Sequence, residues 1–267
     1  MIEPTWQSEC GRVKLWRGDS LDIVPSMPEL SIDAIITDPP YSSGGMYRGD
    51  RSQSTVSKYV NNDVLIKRND FNGDTRDQRS FLAWSTMWLN ACRYACKPGA
   101  VLCCFIDWRQ LPTLTDAVQC GGWVWRNLAT WWKPGCRMQS GRLSSSAEYV
   151  VYASNGPQEI YGEDSPQNVF SCATLSGAKK EHIAEKPAAV ARWLIGLSAK
   201  DSLVLDPFMG SGVVGVEALN RGRSFWGIDN DQASFEISKR KIIEVLASED
   251  FLSGKLSGPD EQREIFK

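Results

Sequence analysis

Short apolar runs alternate with longer segments of helical periodicity along this chain. Residues 13–16, 32–37 and 101–106 read as strands, the last buried on both faces because it is apolar throughout. Residues 81–96 read as a helix, and another follows the third strand through Gln119. The stretches near 123–131 and 148–152 alternate in character, which predicts an antiparallel pair at a sheet edge. Pro187 suits the first turn of a helix reaching about Ser198, where no N–H is needed. Residues 202–205 and 225–228 read as strands, with a helix at 213–220 between them that Gly222 can end in a left-handed conformation. Asp231 then caps a helix running to about Leu246.

This order implies an α/β domain: a mostly parallel sheet with one antiparallel strand and helices on both faces. At 267 residues and 42% hydrophobic content, the chain can build one large core, assigned here to residues 1–247. No internal repeat is visible. Residues 248–267 are polar and carry two Ser-Gly pairs, as expected of a flexible tail. The insert at about 42–80 is rich in Ser, Asn, Asp and Gly, and is expected to be mobile until a partner binds; the plainer reading is a surface insertion.

Two motifs carry candidate chemistry. Thr37-Asp38-Pro39-Pro40-Tyr41 follows the strand at 32–36, and Leu205-Asp206-Pro207-Phe208-Met209-Gly210-Ser211-Gly212 follows the strand at 202–205. In open α/β sheets ligands sit where strands end. Asp38 can accept a hydrogen bond from an amino group, the Pro39 carbonyl can accept a second, and Tyr41 offers a flat face to a base. The glycine loop lets a ligand approach the backbone closely. Each motif alone has an ordinary reading, as a turn of Asp and Pro or as a glycine turn without a ligand. Their shared position after strands separates them from it.

The formal charge of −2 leaves any polyanion to be held by local patches. Residues 117–147 contain no acidic side chain, while Arg126, Lys133, Arg137 and Arg142 interleave with Trp123, Trp125, Trp131 and Trp132. The tryptophans read as core of the edge strands; the basic residues form either a solvated rim or a contact with phosphates. The segment 133–142, basic and without apolar periodicity, fits a loop laid along a phosphate backbone. Eight cysteines without C-x-x-C spacing, beside a single histidine, argue against a metal site, and Cys103 and Cys104 read as small buried hydrophobes. Neither a basic, apolar leader nor a run long enough for a membrane span is visible, so a soluble cytoplasmic protein is expected.

The two motifs, in this order, resemble the S-adenosylmethionine-dependent DNA amino-methyltransferases of the circularly permuted β subgroup, in which the catalytic motif precedes the cofactor loop. The resemblance runs from about residue 11 to about residue 246. It implies a Rossmann-like fold with permuted motif order, S-adenosyl-L-methionine as cofactor and double-stranded DNA as partner, and it extends to a homodimer, since some members dimerise. By this resemblance Asp38, Pro39, Pro40 and Tyr41 grip a flipped base beside the methyl donor. Asp19, Ser20 and Leu21 contact the cofactor's adenine, and His182, Lys186 and Pro187 lie beside its methionine part. Asp206 with the Gly210, Ser211 and Gly212 backbone holds the methionine end, Phe208 lies against the cofactor, Pro207 and Asp38 also belong to the cofactor site, and Asp229 with Asn230 takes the ribose. His182 has an ordinary reading as a helix cap. The segment at about 133–180, and 155–180 within it, corresponds to the target-recognition region. In the family an Asp opening the catalytic motif goes mainly with adenine N6 and a Ser mainly with cytosine N4, so N6-adenine is expected with N4-cytosine as the alternative. The lack of any Pro-Cys dipeptide argues against carbon methylation, the motif order against glutamine side-chain methylation, and the intact motif residues against a non-catalytic DNA-binding subunit.

Overall fold

The computed structural model describes residues 2–41, 76–136, 140–141, 143–158, 162–175 and 185–252. Among these residues the strands and α-helices are, in chain order, β1 (Trp6–Gln7), β2 (Val13–Arg17), α1 (Ser20–Ile23), β3 (Ile32–Thr37), α2 (Gln78–Ala95), β4 (Cys96–Ile106), α3 (Leu111–Cys120), β5 (Val124–Trp132), β6 (Ala147–Ser154), β7 (Val169–Ser171), α4 (Ala188–Ile195), β8 (Leu203–Asp206), α5 (Val213–Asn220), β9 (Ser224–Asp229) and α6 (Gln232–Leu252). The strands form one nine-stranded sheet in the order β1-β2-β9-β8-β3-β4-β6-β5-β7. The pairings β2–β9, β9–β8, β8–β3, β3–β4 and β5–β7 are parallel. β6 runs against both β4 and β5.

The apolar runs explain the layers. In β4, Leu102, Cys104 and Ile106 face one core while Val101, Cys103 and Phe105 face the other. α2 and α3 cover the first face through Phe81, Trp88, Leu89, Leu114 and Val118. α4, α5 and α6 cover the second through Val190, Leu194, Ala218, Phe235 and Ile242. A strand buried on both sides has no polar face to alternate, which is why 101–106 reads as a continuous hydrophobic run. Cys103 and Cys104 are fully buried, and burial pushes the Cys103 thiol up to about 12.

Several boundaries differ from the sequence reading for local reasons. α2 starts at Gln78 because Asp77 caps it, its carboxylate accepting from the Ser80 N–H at 2.9 Å. Residues 78–80 therefore belong to a helix and not to the insert, whose expected mobility at 42–75 lies outside the described residues. α6 is capped by Asp231, which accepts from the Ser234 N–H at 2.8 Å, and it continues to Leu252 instead of fraying at 248. The rest of the expected tail lies outside the described residues. Pro187 is the residue that caps α4, one position earlier than expected. Two strands had no signal: β1, a second antiparallel element at one edge, and β7, which makes β5 an interior strand. At the end of α5 the Gly222 N–H donates to the Leu219 carbonyl and the Arg223 N–H to the Ala218 carbonyl, with Gly222 at φ +76°, the pair of hydrogen bonds that closes a helix through a left-handed residue.

Candidate active site

β3 and β8 are parallel neighbours, but their chains leave in opposite directions, toward β4 on one side and β9 on the other. The loops after them diverge and open a crevice at the carboxyl ends of the strands, where α/β sheets hold their ligands. The two motifs meet there. The Thr37 hydroxyl donates to Asp206 Oδ1 at 2.7 Å, joining the residue before Asp38 to the acidic residue of the glycine motif.

The glycine side of the crevice is built from backbone. The Phe208 N–H donates to Asp206 Oδ1 at 3.1 Å and the Met209 N–H to the Ile228 carbonyl at 2.9 Å. The Gly210 N–H donates to Asp229 Oδ2 at 2.8 Å, and the Ser20 hydroxyl donates to the Pro207 carbonyl. Gly212 opens α5 at φ +77°, and a Cβ there would stand 2.9 Å from the Ser238 Cβ, so only glycine fits both the turn and the close approach of α6. Burial pushes the Asp206 carboxyl up to about 7 against the pull of its hydrogen bonds to Thr37 and Phe208. Burial also lifts Asp229 to about 6, opposed by the N–H groups of Asp231 and Gly210. Phe208 packs its ring against Trp84 and Trp88 of α2, with centroids 5.4 and 5.2 Å away, and the Arg76 guanidinium lies 4.1 Å from the Trp84 ring.

The Asp38 side is built from charge. Asp38 Oδ1 accepts from the Tyr41 hydroxyl and Oδ2 from the Lys186 ammonium at 2.6 Å. Lys186 also reaches Glu148 Oε2 at 3.0 Å and the Tyr41 hydroxyl at 3.1 Å. Lys133 pairs with the other oxygen of Glu148 at 3.0 Å. The Lys186 ammonium lies 4.8, 5.4 and 6.0 Å from the ring centroids of Phe105, Tyr41 and Trp131. Burial raises the Asp38 carboxyl above its ordinary range despite Lys186. For Glu148 burial is outweighed by Lys186 and Lys133, which hold it at about 2. Lys186 stays above its ordinary value because Asp38 and Glu148 outweigh its burial.

The predicted site residues do not all fall in one place. Asp38, Tyr41, Lys186, Thr37 and the 206–212 loop converge on the crevice, with Pro39 and Pro187 buried beside it. Asp19 caps α1 by accepting from the Leu21 N–H at 2.9 Å, Asp229 closes β9 and Asn230 is exposed after it. Arg126 lies apart: it sits at the start of β5, the opposite end of the sheet, where it donates to the Ser154 hydroxyl at 2.8 Å and the Gly156 carbonyl at 2.9 Å. Lys133, expected along a phosphate backbone, has only 14% of its side chain exposed and holds Glu148. His182, Arg137 and Arg142 lie outside the described residues. Trp123 and Trp131 are core, whereas Trp125 and Trp132 are about half exposed. Within the segment at 155–180, β7 and the stacking of Phe170 on Trp193 at 5.1 Å tie the chain to the sheet edge and α4.

Sequence reasoning missed Glu148 and Trp84. The signal for Glu148 was a lone carboxylate at the mouth of the apolar run Ala147–Ser154; Trp84 carried none beyond helical spacing. Among the described residues no helix is long and apolar enough to cross a membrane, and no group of three or more His, Cys, Asp or Glu could hold a metal ion.

A sequence profile described as DNA methylase matches residues 32–240. The type II methyltransferase M2.MboI of Moraxella bovis is 22% identical over 267 aligned residues, which cover 91% of this chain and 92% of that protein. The type II methyltransferase M2.LlaDCHI of Lactococcus lactis subsp. cremoris is 24% identical over 264, covering 91% and 93%. The fold is similar to that of M1.HpyAVI in complex with SAM, with a TM-score of 0.64 and 21% identity over 86% of this chain and 98% of that one. It is similar also to PvuII DNA methyltransferase (cytosine-N4-specific), with a TM-score of 0.66 and 17% identity over 99% and 93%.

Proposed function

The chain belongs to the DNA methylase family, whose members modify adenine N6 or cytosine N4, and on that premise we propose that it methylates the exocyclic N6 amine of an adenine flipped out of duplex DNA. The coarser statement, a DNA methyltransferase using S-adenosylmethionine, follows from membership. The observation that supports transfer to an amine is the Thr37–Asp206 bond of 2.7 Å, which sets an amine acceptor and a glycine-loop cradle side by side at the ends of adjacent strands; the choice of adenine rests on Asp38 at the head of the motif.

The crevice suits the cofactor's polar groups. Asp229 offers carboxylate oxygen at the strand end, the Gly210–Gly212 loop offers backbone, and Phe208 offers a half-buried apolar face. Asp19, Ser20 and Leu21 would take the adenine, Asp229 with Asn230 the ribose, and the 206–212 loop the methionine end. When bound, S-adenosylmethionine supplies an electrophilic methyl group on its sulfonium, which passes to the amine nitrogen as the S–CH3 bond breaks.

The protein's part is to make the amine a nucleophile. An aromatic amine delocalises its lone pair into the ring. The Asp38 carboxylate and the Pro39 carbonyl accept its two hydrogens, draw them out of plane and return density to nitrogen. Rotating the base out of the stack costs a few kcal/mol, offset in part by stacking on Tyr41. Once methylated, the nitrogen is cationic and gives its proton to Asp38, whose raised affinity for protons suits it to that step. Holding the reacting atoms in line supplies much of the remaining acceleration.

Asp38 at the head of the catalytic motif supports adenine; the likeness to a structure described as cytosine-N4-specific supports the alternative, because both amines present the same two hydrogens. The deciding experiment incubates the protein with mixed-sequence duplex DNA and methyl-labelled S-adenosylmethionine, then identifies the labelled nucleoside by mass spectrometry. Label in N6-methyladenine is the expected result. Label in N4-methylcytosine alone overturns the choice of base and keeps the mechanism.

A further inference from the structure

Both carboxylate oxygens of Asp38 already accept a bond in this structure, Oδ1 from the Tyr41 hydroxyl and Oδ2 from the Lys186 ammonium, and Lys186 crowds the side that an amine would approach. An incoming amine needs one of them. Of the two occupants, Lys186 is the one that comes from outside the motif, and it lies 5.4 Å from the half-buried Tyr41 ring, the flat face that the motif offers a base. Driving a buried ammonium off its carboxylate would strand a charge, a cost of several kcal/mol unless another carboxylate receives it. Lys186 has only 10% of its side chain exposed, so a nearby carboxylate compensates its charge better than bulk solvent does.

We infer that Glu148 is a positioning residue for base binding: it takes over the Lys186 ammonium when the target amine takes Asp38. The inference rests on the methylation of a flipped base proposed above. Glu148 Oε2 is already 3.0 Å from Lys186 Nζ, so the handover needs no rearrangement of the backbone. Lys133, 3.0 Å from Oε1, fixes the carboxylate in the orientation that presents Oε2 to Lys186. The four side chains carry two positive and two negative charges, and an amine replacing Lys186 at Asp38 leaves that balance intact. Lys186 thereby works with the base pocket, a different place from the methionine end of the cofactor that the sequence resemblance implies for it.

The test compares Glu148→Gln, Lys186→Met and the double variant in the full chain. Each is assayed for methyl transfer to unmethylated mixed-sequence duplex DNA, reading kcat and the KM for DNA, and for S-adenosylmethionine affinity by calorimetry. Glu148→Gln is expected to raise the KM for DNA about tenfold or more, because Lys186 has nowhere to go. Its cofactor Kd should stay within about twofold of wild type. Adding Lys186→Met should remove most of that KM increase, since no ammonium is left to strand. Should Glu148→Gln fail to fold, Glu148→Asp keeps the charge and should raise the KM less than Lys133→Met combined with it. Losses that simply multiply in the double variant, or that fall on the cofactor Kd while the KM for DNA holds, overturn the inference. Wild-type protein that labels no DNA overturns the reading beneath it instead.

Discussion

The two walls of the crevice hold their shape by different means. On the β8 side nearly every contact that shapes the loop involves backbone: N–H groups of Phe208, Met209 and Gly210, and a glycine at φ +77° against α6. On the β3 side the shape comes from side-chain charges gathered from four places, Asp38 after β3, Lys133 after β5, Glu148 on β6 and Lys186 before α4. A wall built on backbone N–H groups presents donors in fixed places, and fits a ligand that must always sit the same way, while its carboxylates Asp206 and Asp229 are lifted to about 7 and about 6 by burial. A charged wall can exchange partners, and fits a base that has to push something aside to enter.

If this division is right, Asp38→Ala should cut methyl transfer roughly a thousandfold in single-turnover assays while the cofactor Kd moves by less than about twofold. Near-normal transfer would remove Asp38 from the proposed role and the division with it. The reciprocal change is Gly212→Ala. It forces a side chain into a left-handed turn and against Ser238, and should cost about 1–3 kcal/mol of stability by thermal unfolding, with cofactor affinity down about tenfold and the KM for DNA nearly unchanged.

Acidity separates the walls by sign. Glu148, held at about 2, adds stability that is complete above the ordinary carboxylate range and is lost as pH falls toward 2. Asp206, lifted to about 7, holds its proton more tightly folded than unfolded, so its contribution is complete below about 4 and is lost as pH rises through 7. Urea unfolding of the cofactor-free protein should accordingly show Asp206→Asn flattening the curve between about pH 4 and 7 and Glu148→Gln flattening it only below about pH 4, each by on the order of 1–3 kcal/mol. The same change in both variants would erase the contrast. The smallest expected effect is that of Arg126→Gln, which should leave DNA affinity within about twofold and cost about 1 kcal/mol of stability through its lost bonds to Ser154 and Gly156. A larger loss of DNA affinity would extend the charged wall to the far end of the sheet.

The same contrast decided what could be read from the sequence. The strand at 32–37, the helix at 213–220, the Gly222 stop and the Asp231 cap were legible because each depends on residues within one turn or one strand of itself. The glycine loop was legible for the same reason. The charged wall was not: Lys186 and Asp38 are 148 positions apart, and nothing local to either names Glu148 as the third member. Lys133, read as a phosphate contact from its basic, Gly-containing neighbourhood, turns inward because Glu148 faces it across the β5–β6 pair. β7 escaped notice because three residues carry too little alternation to register, and its place is fixed by Thr130, Trp131 and Trp132 alongside.

The hydrogen bond between Thr37 and Asp206 makes the sheet a gauge for the reaction. Adjacent strands stand about 4.8 Å apart, and in the proposed reaction that spacing sets how far the amine's acceptor, Asp38, lies from the loop that would cradle the methyl donor. A slip of one residue between β3 and β8 would shift Asp38 by about 3.3 Å along the strand, as large as the whole separation at which reacting atoms meet. The buried register of Ala34 opposite Val204 and Ile35 opposite Leu205 is therefore the tolerance to which the proposed chemistry would be built.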